Sequence, residues 1–206
     1  MDKVFQSDVG YQNVLEIISE GSRVLDLGCG DGSLLQLLRD KKNIHPFAVE
    51  LSESGVSKCI EKGLFCYQAD IDDGLSDYKD ASFDYVILNQ TLQSVKRPSF
   101  VINEILRIGK VAIISFPNFA HYPVRLKISF FGTMPKSKSI PYDWYDTPNI
   151  HMLTIKDFRK FCKKHNYHIL CEKHFSRLRS KDRKVKIMPN LMAEYGFFVV
   201  KGKLSS

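Results

Sequence analysis

The sequence predicts an α/β fold, a doubly wound and mostly parallel sheet of seven strands with an antiparallel strand at one edge. Three observations predict it. Apolar runs of strand length alternate with helix-length segments up to about residue 165, a pattern that needs crossover helices on both faces of a parallel sheet. The first run, Val24-Leu25-Asp26-Leu27, breaks into glycines at 28, 30 and 32. Alternating glycines there mark a strand turning sharply into a helix, with backbone left open to a ligand. The last two runs, 167–172 and 195–201, have no clear helix between them and read as an antiparallel pair.

The elements follow in order. Residues 11–19 read as a helix and 23–27 as the first strand. Ser33 is expected to cap the next helix, with Leu34, Leu35, Leu37 and Leu38 on its inner face. The second strand ends at Glu50, and Ser52 caps a helix that stops at Gly63. Strands at 64–69 and 85–88 follow. Pro98 opens a helix to Ile108 that Gly109 closes. Residues 111–116 form an almost unbroken apolar fifth strand. Thr154 and Asp157 make a capping-box-like start to a helix ending near His165.

Composition bounds the answer to one domain over residues 1–206. A chain of 206 residues buries roughly 70% of its unfolded surface, enough for a full core. It has no run of 18 apolar residues, so no membrane span is expected. The start MDKVFQSDVG carries acids and no apolar stretch, so no secretory signal is expected. Cysteines at 29, 59, 66, 162 and 171 include no Cys-x-x-Cys pair. Such a scattered set fits reduced thiols in the cytoplasm better than disulfides, and no metal site is expected. Charge is uneven. Residues 1–115 hold 12 Lys and Arg against 17 Asp and Glu, and residues 116–206 hold 18 against 6, for a net +7. The densest basic run is Arg177, Arg179, Lys181, Arg183, Lys184 and Lys186, on an expected hairpin connection. No aromatic interleaves with it, which argues against single-stranded nucleic acid.

Spacing narrows the ligand. A dinucleotide loop would carry its third glycine at 33, where Ser33 stands. Glu50, at the second strand end, suits the two hydroxyls of a ribose. Asp70, at the third, can accept from an adenine amino group while Ile71 covers the ring. The string Asp26-Leu27-Gly28-Cys29-Gly30-Asp31-Gly32 resembles motif I of the class I S-adenosylmethionine (SAM) methyltransferases, which have a Rossmann-like fold. Phe83-Asp84-Tyr85 through Asn89 resembles the same proteins' motif IV. The resemblance implies SAM, or S-adenosylhomocysteine, held by Asp26, Gly28, Cys29, Gly30, Glu50, Leu51, Asp70, Ile71 and Asn89.

The stretch 117–150 breaks the alternation with five of the eight prolines and the single tryptophan. It leaves the edge that carries the glycine loop, so a lid-like insertion after strand five is expected. His121, Trp144, Tyr145, Asp146 and His151 are candidates for an acceptor pocket or a general base, with no catalytic residue assigned. SFPNFAHYPVRLKI, YDWYDTPNIH and MPNLMAEYGFFV resemble the methionine-biosynthesis family MetW. That resemblance implies a role beside homoserine O-acyltransferase. Two functions stay open: a SAM-binding partner of the acyltransferase, or a SAM-dependent methyltransferase of a small acceptor. Asn89-Gln90-Thr91-Leu92 lacks the paired prolines of nucleic-acid amino methyltransferases, and Asn89 offers no carboxylate cluster for the metal-dependent catechol type.

Overall fold

A computed structural model describes residues 8–137, 139–178 and 181–202. In chain order the elements are α1 (Asp8–Ile17), β1 (Arg23–Leu27), α2 (Ser33–Lys42), β2 (His45–Glu50), α3 (Glu53–Glu61), β3 (Cys66–Gln68), β4 (Phe83–Asn89), α4 (Pro98–Ile108), β5 (Gly109–Pro117), α5 (Tyr122–Phe131), α6 (Ile155–His165), β6 (His168–Leu178), β7 (Lys181–Lys184), α7 (Pro189–Met192) and β8 (Tyr195–Lys201). Short 3-10 turns at Ile71–Asp73 and Leu92–Ser94 follow β3 and β4.

All eight strands form one sheet in the order β3-β2-β1-β4-β5-β8-β6-β7. The first five strands pair in parallel. Antiparallel pairing is confined to the other end, where β8 runs between β5 and β6 and β7 folds back on β6. The sheet therefore has eight strands where seven are expected. The extra one, Lys-Asp-Arg-Lys, carries no apolar alternation because it is an edge strand held by its ladder alone, and charge protects such an edge from further pairing. Arg183, Lys184 and Lys186 of the basic run are exposed on or just after it, while Arg179 lies outside the described residues.

Side chains alternate across the sheet. Leu25 and Leu27 pack into one core with α4 and α6, where Phe116, Phe158 and Phe198 have ring centroids 4.7–5.6 Å apart. Val24 packs into the opposite core with Leu34, Leu35 and Leu38 of α2 and Cys59 of α3. Asp26 lies on Val24's face by the same alternation. Among the described residues no helix is long and apolar enough to cross a membrane.

One local expectation needs correction. Ser33 does not cap α2. The N-cap is Gly32 in the left-handed region (φ 72°), and Ser33 Oγ donates to Asp31 Oδ2 at 2.7 Å. A side chain on Gly32 would meet Leu64 and Cys59 within 2.8 Å, so packing dictates the residue. Gly109 closes α4 as expected, its N–H donating to Ile105 O, and its extended backbone (φ −111°) also begins β5. It is glycine because a Cβ would sit 2.5 Å from Val86 Cγ2. The caps by Ser52, which accepts from Gly55 N, and Thr154, which accepts from Asp157 N, are as expected.

The connection after β5 is tied down at both ends. Asn118, 1% exposed, donates through Nδ2 to Asn190 O (3.1 Å) and Ala193 O (2.8 Å). Its Oδ1 accepts from Ala120 N at 3.2 Å and Ile155 N at 3.4 Å. At the far end, Ile150 N and His151 N both donate to Gln93 O. Asn118→Ala leaves these buried groups unpaired and should cost about 2–3 kcal/mol in urea unfolding, against about 1 kcal/mol for loss of the Thr154 cap in Thr154→Ala. Equal losses would place the anchor elsewhere.

Candidate cofactor crevice and a thiol cluster behind it

The parallel strands end on one edge, and the strand order turns between β1 and β4. Ligands in such sheets sit outside the carboxyl ends at that turning point. Asp26 is the penultimate residue of β1, Gly28, Cys29 and Gly30 follow it, Glu50 ends β2 with Leu51 next, Asp70 and Ile71 follow β3, and Asn89 ends β4. The topology thus brings every residue expected to hold the cofactor to this edge.

Glu50 is the hub. Its Oε2 accepts from Gly30 N at 2.9 Å, and its Oε1 accepts from Ser52 N at 2.9 Å and Ser52 Oγ at 2.8 Å. Gly28 N and Cys29 N both donate to Val49 O, which pins the loop to β2. Gly28 (φ 72°) and Gly30 (φ 60°) are left-handed for different reasons. A Cβ on Gly28 would strike Thr91, whereas a Cβ on Gly30 would enter open space. Gly30 therefore exposes bare backbone to the crevice, which is what a closely bound ligand needs.

Asp26 is 2% exposed, and its Oδ1 has no hydrogen-bond partner among the described residues. Burial, followed by the neighbouring Cys59 and Glu50, pushes its carboxyl up to about 8. A buried carboxyl without a donor favours its neutral form and is left in need of a cationic or hydrogen-bonding partner. Leu51 is 63% exposed beside Glu50, an apolar side chain left uncovered at the crevice rim. Ile71 is buried.

Asp70 caps its 3-10 turn through Asp72 N (2.9 Å), with Lys96 Nζ 3.6 Å from its other oxygen. Asn89 Oδ1 accepts from Ser115 Oγ, which links β4 to β5. Two residues passed over in the sequence matter here. Asp72 is buried and accepts from Lys96 N and Arg97 N at 2.8 Å each, so it holds the 95–97 turn. Gly55 lets the α3 N-terminus approach, because a Cβ there would lie within 2.8 Å of Glu50, Gly30 and Ser52. The spacing of Ser52 and Gly55 just after a strand-end acid was the available signal.

The acceptor candidates differ in exposure. Trp144 and Tyr145 pack edge to face at 5.5 Å and are 73% and 66% exposed. His121 is buried, its Nε2 without a partner among the described residues, and burial lowers its pKa against the opposing pull of Glu194. His151 Nε2 is likewise buried and unpartnered.

The cysteines are not scattered in space. Cys29, Cys59 and Cys66, scattered in the sequence, bring their sulfurs within 4.8 Å of one another. They come from the glycine loop, α3 and β3, so no sequence spacing announces them.

A sequence profile of the methionine biosynthesis protein MetW matches residues 8–200. The chain belongs to the MetW family. A bifunctional methionine biosynthesis protein MetXA/MetW from Rhodopirellula baltica is 40% identical to this MetW-family chain over 161 residues, 74% of the chain. The chain spans about a quarter of that relative's length (26%). Among solved structures, a SAM-dependent methyltransferase from Archaeoglobus fulgidus superposes with a TM-score of 0.70 at 14% identity, over 94% of this chain and 91% of that one. The [4+2]-cyclase SpnF superposes with 0.68 at 16% identity, over 99% and 86%. These neighbours establish the class I methyltransferase fold for the MetW-family chain.

The Asp26 shift has a pH consequence. A carboxyl raised from 3.8 to about 8 binds its proton more tightly in the folded chain than in the unfolded one. Its contribution to stability is fully present below the unfolded value and is lost as pH rises towards the folded one. Ligand-free protein should therefore lose melting temperature between about pH 4 and pH 8 relative to Asp26→Asn, by several degrees. Differential scanning fluorimetry of both chains across pH checks this, and parallel curves would refute it.

Proposed function

We infer that this chain is a SAM-binding module that acts with or on homoserine O-acyltransferase in methionine biosynthesis, in the cytoplasm where its thiols stay reduced. The observation that carries the partner reading is the relative that joins MetXA and MetW parts in one bifunctional chain. A fused pair points to separate chains that work in contact.

The crevice fits the cofactor. Open space at Gly30 admits a ligand to the backbone, and Glu50 keeps one acceptor site for a ribose hydroxyl beyond the three donors it already serves. The unpartnered Asp26 suits the ammonium of the methionine moiety, directly or through one water. Asp70 and Asn89 complete the proposed set, with Leu51 and Ile71 against the adenine. SAM, when bound, supplies an electrophilic methyl on sulfur. The chain's own residues bind it, orient it and exclude water.

The connection after β5 supplies a surface for the partner. Its base is anchored, yet its outer side exposes Phe130 and Phe131 at 76% each and Trp144 at 73%. Ile150 and Met152 add to this apolar surface. Exposed apolar and aromatic clusters of this kind are the anchors of protein interfaces. We read 117–150 as a lid over the crevice whose outside docks the acyltransferase.

The second reading is methyl transfer to a small acceptor. The Nε2 of His121, without a partner among the described residues, favours it, since burial holds that imidazole neutral and able to take a proton. SpnF shares the fold under the name of a cyclase, so the fold alone does not decide between the readings.

Calorimetry should detect SAM and S-adenosylhomocysteine binding. Glu50→Ala should weaken it by about 1.5–3 kcal/mol, the worth of hydrogen bonds to a charged group. Gly30→Val should weaken it through strain and filled space. Absence of heat from both ligands with folded wild-type protein removes the cofactor reading.

A purified homoserine O-acyltransferase should co-elute with this chain and gain activity or thermal stability from it. Trp144→Ala should reduce that gain while SAM affinity stays within about twofold, as for an interface anchor on the outer face of the segment. No complex, together with S-adenosylhomocysteine accumulating when a cell extract supplies an acceptor, decides for the enzyme.

A further inference from the structure

We propose that Cys29, Cys59 and Cys66 form a three-thiolate site for a thiophilic divalent cation of the zinc class, seated behind the cofactor loop. Cys29 Sγ lies 3.4 Å from Cys59 Sγ, and all three sulfurs fall within 4.8 Å of one another. A tetrahedral zinc ion holds thiolates at about 2.3 Å, which places the sulfurs roughly 3.8 Å apart. The observed cluster brackets that spacing, so the ion enters with sulfur shifts below about 1 Å. A disulfide would instead need a bond of about 2.05 Å and would leave the third sulfur without a role.

The sulfurs are mounted on separate rigid elements. Cys29 is fixed by its own N–H and that of Gly28, both bonded to Val49 O. Cys59 is fully buried on α3, and Cys66 begins β3 opposite Ala48 of β2. Cys29 and Cys66 are half-buried, which leaves an approach for the ion. Three protein ligands leave a fourth position for water.

Ligand softness agrees with this cation class. All-sulfur donors select soft or borderline ions over magnesium or calcium.

The site would also stiffen the crevice. Cys59 Sγ donates to Gly30 O at 3.5 Å, and Gly30 N donates to Glu50. An ion on Cys29 and Cys59 holds the loop between Gly28 and Gly30 in the shape shown. The proposal stands whatever occupies the crevice, and its test reads metal directly.

The untagged full chain, reduced with a phosphine and kept under argon, is mixed with zinc and then desalted. Mass spectrometry of metals should return about one zinc per chain, as for a single three-thiolate site. Competition with a chromophoric chelator should show at least about tenfold weaker binding in Cys59→Ser and in Cys66→Ser, as expected for loss of a ligand. Cys162→Ser, on α6 and outside the cluster, should bind zinc like the wild type. Cobalt loading should give the sulfur-to-metal charge-transfer bands of a tetrahedral thiolate site. Circular dichroism identifies any variant that fails to fold, and the half-buried Cys66 provides the milder substitution. Three outcomes overturn the proposal: folded wild-type protein that retains no zinc, zinc retained equally by folded Cys59→Ser and Cys66→Ser, or a Cys29–Cys59 disulfide forming in air without metal uptake by the reduced chain.

Discussion

The Glu50 carboxylate ties together the loop after β1, the end of β2 and the start of α3. It receives the loop after β1 through Gly30, and the start of α3 through Ser52, while standing at the end of β2. Hydrogen bonds to a charged acceptor are worth about 1.5–3 kcal/mol each, more than neutral ones. The glycine loop therefore takes its shape from an acid twenty residues away as well as from its own flexible backbone. Gly55 belongs to the same constraint, since only the absence of a side chain lets α3 approach. The thiol cluster is a further consequence. Drawing α3 onto the loop places Cys59 against Cys29, and the β2–β3 pairing brings in Cys66.

The opposite side of the crevice has a different construction. Asn118 and Gln93 spend buried hydrogen bonds on fastening the two ends of the connection after β5. Between those anchors the chain leaves large apolar groups in water, including Phe130, Phe131 and Trp144. Each such group gives up about 1.5–3 kcal/mol available from burial. An anchored base combined with an apolar outer face suits a segment selected to meet another surface. Arg183, Lys184 and Lys186 on and after the β7 edge add a basic region at the far end of the same sheet. Charge of this kind sets association rate and orientation more than affinity.

Much of this protein was determined by its sequence alone. The β1 and β8 boundaries, the Pro98–Ile108 and Ile155–His165 helices and the Ser52 and Thr154 caps were legible because local rules govern them: apolar period, proline at the first turn, a hydroxyl before an acid. The strand-end positions Gly28, Gly30, Glu50, Asp70 and Asn89 were legible for the same reason, since a parallel sheet sends every strand end to one edge. What escaped depended on contacts distant in sequence. β7 has no pattern because an edge ladder asks for none. Ser33 yielded its cap to Gly32 because Leu64 and Cys59 fill the space a side chain would need. Asp26 reads as an ordinary motif acid, and only its burial without a partner makes it a strained one. Three cysteines at unremarkable spacing became neighbours only when β1, α3 and β3 packed side by side. Periodicity and turn chemistry are written within a few residues of each other, whereas proximity across the sheet is decided by how the elements pack.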